Sequence, residues 1–387
     1  MKMKRLSLAL LTGIAVAAMV AAAAPASAAD DEIKLGVSIS TTGQGAALGI
    51  PERNTLSLFP EEIGGAKLKI IQLDDAGDPT AATTNARRLA TDDKVDVLVG
   101  SSTTPPSIAM ANVANEVGVP HFALAPMPVT PATQKWSVVM PQPVALMATA
   151  LFEHMKNNNV KTVGLIGFSD SWGDLWAKAF KDIGEPMGLK LVADERYARA
   201  DTSVAGQALK LVASRPDAVL VGASGTAAAL PQIALRDRGY QGKIYQTHGA
   251  VTKDFIRIGG KAAEGAILSS GPVIVAELQP DSALTKKPGL AYVGPYESKF
   301  GKDSRTQFGA HMWDVLMVLE RVIPAALKKA KPGTEAFRDA IREALVAEKD
   351  IAASQGVYNW TEKDRYGVDQ RARVLLTVKN GDWELVE

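Results

Sequence analysis

The sequence contains no cysteine, and it contains only four histidines among its 387 residues. The absence of thiols excludes disulfide scaffolds, thiolate metal sites, cysteine nucleophiles and lipid anchors on cysteine. An excess of one charge is also missing, because 43 basic residues face 42 acidic ones, which makes nucleic acids poor candidate partners. A hydrophobic share of 47% is typical of a folded globular chain. At about 150 residues per domain, the length predicts two or three domains.

Long apolar runs are missing too, with one exception at the N-terminus. The stretch from Leu6 to Ala24 carries no charge; basic residues at positions 2, 4 and 5 precede it, and Pro25 and an A-x-A site ending at Ala28 follow it. This order predicts a cleaved signal peptide over residues 1–28 rather than a permanent membrane anchor. We therefore expect an exported protein, and export without cysteine favours the bacterial periplasm.

The rest of the chain alternates between short apolar runs and amphipathic segments, as βαβ units on a parallel sheet do. Strands are predicted at 33–39, 68–73, 95–99 and 121–124, and in a second series at 162–167, 189–196, 218–221, 243–246 and 265–270. Helices are predicted at 78–90, 105–117, 144–156, 172–184, 203–213, 226–239 and 252–258, then in the tail at 289–300, 306–328 and 334–346. A hairpin is predicted at 371–378 and 382–386. The pattern predicts an α/β fold with two doubly wound parallel-sheet modules.

The loops after the predicted strands carry the candidate chemistry, because open α/β sheets bind ligands beyond the carboxyl ends of their strands. Small and hydroxyl-bearing residues follow five strands, at 40–43, 101–104, 169–173, 223–226 and 247–249. Thr103 and Thr104 stand directly before two prolines that suit a first helical turn. Exposed amides and hydroxyls there form a candidate carboxylate site. The alternative, in which each hydroxyl only caps its own helix, is weakened by the recurrence of five such loops.

Two motifs imitate those of enzymes. Gly43, Gly45 and Gly49 resemble a dinucleotide fingerprint, but their spacing is one residue too long and Pro51 is expected to interrupt the helix that should follow. Ser169 lies at a strand-to-helix turn as a hydrolase serine does, but the final glycine of that motif is missing. We therefore expect a protein that is not an enzyme and needs no cofactor, with an exported hydrolase using Ser169 as an alternative.

The histidines do not suggest a metal site. His121, His154, His248 and His311 lie far apart and have no carboxylate cluster beside them. We expect no bound metal, and a core or surface position for at least three of the four.

Several motifs together resemble the periplasmic binding proteins of branched-chain amino acid ABC importers. They are the segments 74–79, 97–100 with hydroxyls four residues on, 119–120 and 168–173. The resemblance covers essentially the whole chain after the signal peptide. It implies a type I binding-protein fold, in which two α/β lobes joined by three crossovers close on a small ligand. Lobe 1 is then expected at 30–142 plus 272–354, and lobe 2 at 143–271 plus 355–387.

The same resemblance implies ligand contacts from both lobes, at Thr42, Leu48, Thr103, Thr104, Ala125, Pro126, Met127, Trp172, Ser224 and His248. In amino acid binders, the position of Thr104 and the main chain at 125–127 hold the carboxylate, and the position of Trp172 covers the side chain. The acid that neutralises the ligand ammonium in those proteins is replaced by His248 here.

This replacement bears on the ligand class, because a buried ammonium without an anionic partner is costly. We expect an aromatic acid of the benzoate or phenylpropenoate type, with Trp172 and Met127 flanking its ring. The alternative is a branched-chain amino acid whose ammonium meets Asp170 or Gln142. The resemblance also implies a monomer that works with the permease of an ABC transporter, while a ligand sensor acting with a signalling protein remains a further alternative.

Overall fold

Two sheets, each covered by helices, form the body of the computed structural model, which describes residues 32–386. The predicted signal peptide lies outside the described residues. Within residues 32–386, no helix has the length and apolar character needed to cross a membrane.

The first sheet comes from the first part of the chain. Its strands are β1 (Glu32–Ile39), β2 (Glu62–Ile63), β3 (Ala66–Asp74), β4 (Val97–Gly100), β5 (His121–Ala123) and β6 (Ser137–Val139). They lie in the order β2-β3-β1-β4-β5-β6, and the β2–β3 pair is antiparallel while the others are parallel. The helices of this part are α1 (Ala46–Leu56), α2 (Pro79–Thr91) and α3 (Thr104–Val117). Buried strands such as β4 read as continuous apolar runs because helices cover both faces of a parallel sheet.

The second sheet repeats this plan. Its parallel strands are β7 (Thr162–Phe168), β8 (Lys190–Tyr197), β9 (Ala218–Gly222), β10 (Lys243–Gln246) and β11 (Ile267–Ser270). The accompanying helices are α4 (Val144–Asn157), α5 (Ser171–Ala179), α6 (Ala205–Ala213), α7 (Ala229–Asp237) and α8 (Lys253–Gly259). The two-lobed α/β fold is therefore confirmed, and we call the lobe of the first sheet lobe 1 and that of the second sheet lobe 2.

The tail returns to both lobes. It forms α9 (Lys286–Phe300), α10 (Gln307–Leu327), α11 (Glu335–Ala347) and an antiparallel pair of β12 (Ile351–Ala352) with β13 (Val357–Tyr358). Helix α10 packs on α1 of lobe 1. The last strands, β14 (Val374–Lys379) and β15 (Asp382–Leu385), extend the second sheet beyond β11 as an antiparallel hairpin.

Glutamine side chains join several segments that are distant in sequence. Gln142 donates from Nε2 to the carbonyl of Gln355 at 3.3 Å, and Gln355 donates from its own Nε2 to the carbonyl of Gln307 at 3.2 Å. The amide of Gly271 donates to Oε1 of Gln307 at 3.3 Å. These segments therefore lie side by side and share one buried hydrogen-bond network.

One helix was not expected. The prediction that Pro51 interrupts the helix after β1 is wrong, because α1 continues through Pro51 to Leu56. The proline ring removes one backbone donor, and the packing of α1 on α10 stabilises the helix despite that loss. Strands β2, β6, β12 and β13 were not predicted either, because runs of two or three residues are too short to show a period.

Candidate ligand cavity between the lobes

A small cavity lies between the strand ends of the two lobes. Its lining residues come from both lobes, from a crossover and from α10. They are Leu48, Ser102, Thr103, Thr104, Leu124, Ala125, Pro126, Pro141, Trp172, Arg199, Ser224, His248, Gly249, Phe308 and His311.

The structure brings most of the predicted site residues to this cavity. They are Leu48, Thr103, Thr104, Ala125, Pro126, Trp172, Ser224 and His248. It does not bring Thr42 there: its exposed side chain donates to Asp74 Oδ2 at 2.6 Å. Met127 is also absent from the lining, and its side chain packs in a small core cluster with Ala111 and Val139. The expected pair of Trp172 and Met127 around a ligand ring is therefore not formed.

The lobe 1 wall of the cavity is hydrogen-bonded within the protein. Thr104 donates from Oγ1 to the carbonyl of Pro126 at 2.8 Å. Ser102 accepts from the amide of Ser40 at 2.9 Å and donates to Glu52 Oε2 at 2.5 Å. Burial raises the pKa of Glu52 well above its ordinary value, although the bond from Ser102 acts in the opposite direction. The hydroxyls of Ser102 and Thr104 thus already have protein partners.

The start of α3 is also poorer in donors than expected. Thr104 is followed by Pro105 and Pro106, and neither proline has an N–H group. Two of the amides that would normally be exposed at a helix N-terminus are therefore missing. The amide of Met127 is occupied as well, since it donates to the hydroxyl of Tyr366 at 3.0 Å.

The lobe 2 wall holds a cation. Arg199 follows β8 and lines the cavity. Its Nε donates to Asp170 Oδ2 at 2.5 Å, and its Nη1 donates to Ser224 Oγ at 3.1 Å. The guanidinium lies 4.2 Å from the centre of the Phe168 ring. Two neighbouring loops and a ring thus fix the position of this arginine.

Two histidines complete the polar lining. His248 lies in the short turn after β10, and its ring meets the edge of Trp172 with centroids 5.2 Å apart. His311 lies on α10, one turn after Phe308, with ring centroids 6.3 Å apart. Burial lowers the pKa of both histidines to about 3, so both rings are neutral at physiological pH. Their ring nitrogens, and Nε1 of Trp172, have no hydrogen-bond partner among residues 32–386.

Of the four histidines, His121, His248 and His311 are buried, and the last two also line the cavity. His121 does have a structural role: its Nε2 lies 2.6 Å from the carbonyl of Gly100, and its Nδ1 lies 3.0 Å from Ser137 Oγ. In the described part of the chain, no three residues of the types His, Cys, Asp or Glu are grouped to hold a metal ion.

Sequence reasoning did not identify Arg199, Phe308, His311, Leu124 and Pro141. Arg199 follows a predicted strand. The rule that ligands bind beyond the carboxyl ends of parallel strands identifies Arg199 when the loop after β8 is included. The two α10 residues come from a helix that starts after a crossover. No local signal in the sequence marks such residues as cavity lining.

Comparisons with known proteins agree with the two-lobed fold. A family model described as periplasmic binding protein matches residues 32–375. The chain is 25% identical to a Leu/Ile/Val-binding protein homolog 7 of Brucella abortus, over 94% of this chain and 92% of that protein. The crystal structure of an extracellular ligand-binding receptor from Rhodopseudomonas palustris HaA2 is 66% identical, with a TM-score of 0.91 over 92% of this chain and 100% of that one. A leucine-binding protein from Thermotoga maritima, at 22% identity and a TM-score of 0.79 over 92% of this chain and 98% of that one, shares the fold.

Proposed function

We propose, for a chain that belongs to the periplasmic binding protein family, that it binds a small aromatic carboxylate between its lobes and presents it to an ABC importer. In this proposal the mature protein acts as a monomer in the periplasm, after removal of residues 1–28. Lobe 1 is assigned to 30–142 plus 272–354, and lobe 2 to 143–271 plus 355–387. The partner is the permease of the transporter at the inner membrane.

One observation carries the choice of ligand. The cavity lining includes one cation, Arg199, and rings from Trp172, Phe308 and two histidines, but no carboxylate side chain belongs to the described lining. An α-amino acid would bury its ammonium there without an anion, which is costly. A carboxylate with an aromatic body suits the arginine and the aromatic rings of this lining.

Neither of the two groups considered as ammonium partners lines the cavity. Asp170 accepts from Arg199 and from the amides of Trp172 and Gly173 at the start of α5. Gln142 donates from Nε2 to the carbonyls of Gln355 and Ala372, and its Oε1 has no partner among residues 32–386. The position of both groups outside the lining weighs against the amino acid alternative.

The neutral histidines fit the same ligand class. Buried polar atoms are normally hydrogen-bonded, so the unpartnered nitrogens of His248 and His311 suit an uncharged oxygen of a ligand. A neutral imidazole offers one donor and one acceptor, which an aromatic ring with an oxygen substituent satisfies.

We propose binding without chemical conversion. Ser169, the candidate nucleophile, is exposed and does not line the cavity. Its amide donates to the carbonyl of Tyr197 at 2.8 Å, which gives the residue a structural role at the end of β7.

A thermal-shift screen followed by calorimetry tests the proposal. The mature protein is titrated with benzoate, cinnamate, leucine and the aliphatic acid 4-methylpentanoate. A bound ligand at 100 times its dissociation constant adds about 2.7 kcal/mol to the free energy of unfolding. We expect stabilisation by an aromatic acid and none by leucine, with each ligand recovered unchanged. Stabilisation by leucine alone contradicts the aromatic ligand, and turnover of a ligand contradicts the binding role.

A further inference from the structure

We propose that Arg199, positioned by Ser224, holds the carboxylate of the ligand on the lobe 2 wall. The resemblance to amino acid binders implied the opposite wall, with Thr104 and the main chain at 125–127 as the carboxylate site. This inference rests on the proposed function. It specifies which lobe the ligand carboxylate faces and how many negative charges the ligand carries.

The donors of Arg199 are arranged for a further anion. Its side chain is 17% exposed and belongs to the cavity lining. Nε is used by Asp170 and Nη1 by Ser224 Oγ, while Nη2 has no hydrogen bond to the described residues. Ser224 also lines the cavity, so its hydroxyl lies on the same wall as the guanidinium. A planar guanidinium with free donors is well suited to a carboxylate.

Asp170 does not fully neutralise the positive charge of Arg199. The Asp170 carboxylate also caps α5, where it accepts from the amide of Trp172 at 2.9 Å and that of Gly173 at 3.3 Å. The positive end of the helix therefore shares this anion with the arginine. Contact with the Phe168 ring holds the guanidinium in place, so little side-chain freedom is lost when an anion binds.

The competing site on lobe 1 has few donors left. The Thr104 hydroxyl donates to Pro126, and the Met127 amide donates to Tyr366. Pro105 and Pro106 have no N–H group to offer. A carboxylate that used the Thr104 hydroxyl or the Met127 amide would displace an existing bond, whereas a carboxylate at Nη2 of Arg199 would add one.

The assignment narrows the ligand to monocarboxylates. Arg199 is the one lysine or arginine in the described cavity lining, and both lining histidines are neutral at physiological pH. A second carboxylate on the ligand would therefore meet no cation. The aromatic body then lies among Trp172, Phe308 and the histidine rings.

The test compares Arg199→Gln and Arg199→Lys with a matched control, Arg196→Gln. Arg196 lies on β8, three residues before Arg199. It donates to the Phe168 carbonyl and pairs with Asp174 and Asp194, but it does not line the cavity. Each protein is titrated calorimetrically with cinnamate, the uncharged cinnamamide and 4-methylpentanoate. Urea unfolding of each variant shows whether it is folded.

We expect Arg199→Gln to weaken cinnamate binding about 10- to 150-fold, the loss of a charge-assisted hydrogen bond. Cinnamamide affinity should change by less than about threefold, because the amide offers no anion. Arg199→Lys should give an intermediate loss of cinnamate affinity, because lysine keeps the positive charge but lacks the paired N–H donors of the planar guanidinium. Arg196→Gln should leave the affinities of all three probes unchanged.

Equal losses of cinnamate and cinnamamide affinity in folded Arg199→Gln would overturn the inference and leave Arg199 a structural residue. If wild type binds 4-methylpentanoate in an Arg199-dependent manner but binds no aromatic acid, Arg199 is the carboxylate site and the proposed aromatic ligand is wrong. If wild type binds none of the acids, both the carboxylate site and the proposed function are wrong.

Discussion

The two walls of the cavity use their polar groups differently. On the lobe 1 wall, Ser102 and Thr104 are hydrogen-bonded to the protein itself. On the lobe 2 wall, the nitrogens of Trp172 and His248 have no partner in the described chain, and Arg199 keeps a free donor. The bonded hydroxyls of Ser102 and Thr104 shape the site without offering a free donor. We therefore expect lobe 2 to supply more of the polar contacts to a ligand, together with His311 of α10, whose ring nitrogens also have no partner in the described chain.

The lobe 1 wall is also reinforced from behind. Asp75 accepts from the hydroxyls of Ser38 at 2.9 Å and Ser40 at 2.7 Å, beneath the loop that contacts Ser102. Buried networks of this kind hold a loop in place. This wall therefore presents a fixed surface to the cavity.

The largest expected change in ligand affinity comes from adding a negative charge to the lobe 2 wall. His248→Glu places a carboxylate in the cavity, opposite a ligand that carries the same charge. Like charges in a desolvated site cost several kcal/mol, so cinnamate affinity measured by calorimetry at mildly alkaline pH should fall more than about 100-fold. Phenylalanine, which carries an ammonium, should gain affinity in the same variant.

The matched control is His248→Gln, which removes the ring without adding charge and should cost much less affinity. If wild type and His248→Glu bound cinnamate equally well, the His248 side chain would lie outside the ligand contact. The selectivity assigned to lobe 2 would then rest on Arg199 alone.

A second prediction uses the depressed pKa values of His248 and His311, both about 3 against an ordinary value of 6.5. Between these pH values the unfolded chain binds protons that the folded chain does not. The free energy of unfolding therefore falls as the pH drops from 6.5 towards 3, and it is unaffected by these groups above 6.5. At pH 5 the loss is about 2 kcal/mol for each histidine.

Urea unfolding of wild type and His248→Gln at pH 7.5 and pH 5 measures this effect. The variant should lose about 2 kcal/mol less than wild type between the two conditions. His121, whose pKa burial lowers to about 4, and Asp314, whose pKa burial raises to about 7, are present in both proteins and do not alter the difference. Identical losses would mean that His248 is accessible to protons in the folded state.

The same contrast separates what the sequence could predict from what it could not. Strand ends follow from local apolar runs, so Thr104, Trp172, Ser224 and His248 were predicted and all line the cavity. The direction of each hydroxyl depends on a partner distant in sequence, as Thr104 depends on Pro126, 22 residues later. The contribution of His311 depends on the return of the tail to lobe 1. The local hydrophobic periodicity of the sequence does not predict that return.

The smallest expected effect lies on the lobe 1 wall and is the sharpest test of the comparison. Thr104→Val replaces the hydroxyl with a methyl group of similar size, and the carbonyl of Pro126 loses a buried donor at 2.8 Å. The free energy of unfolding should fall by about 1 kcal/mol, while cinnamate affinity changes by less than about threefold. Ser224→Ala is the counterpart on lobe 2 and should cost more affinity than stability, because it frees Nη1 of Arg199 from its position. If calorimetry gave a large affinity loss for Thr104→Val and none for Ser224→Ala, the carboxylate would lie on lobe 1, and the roles of the two walls would be exchanged.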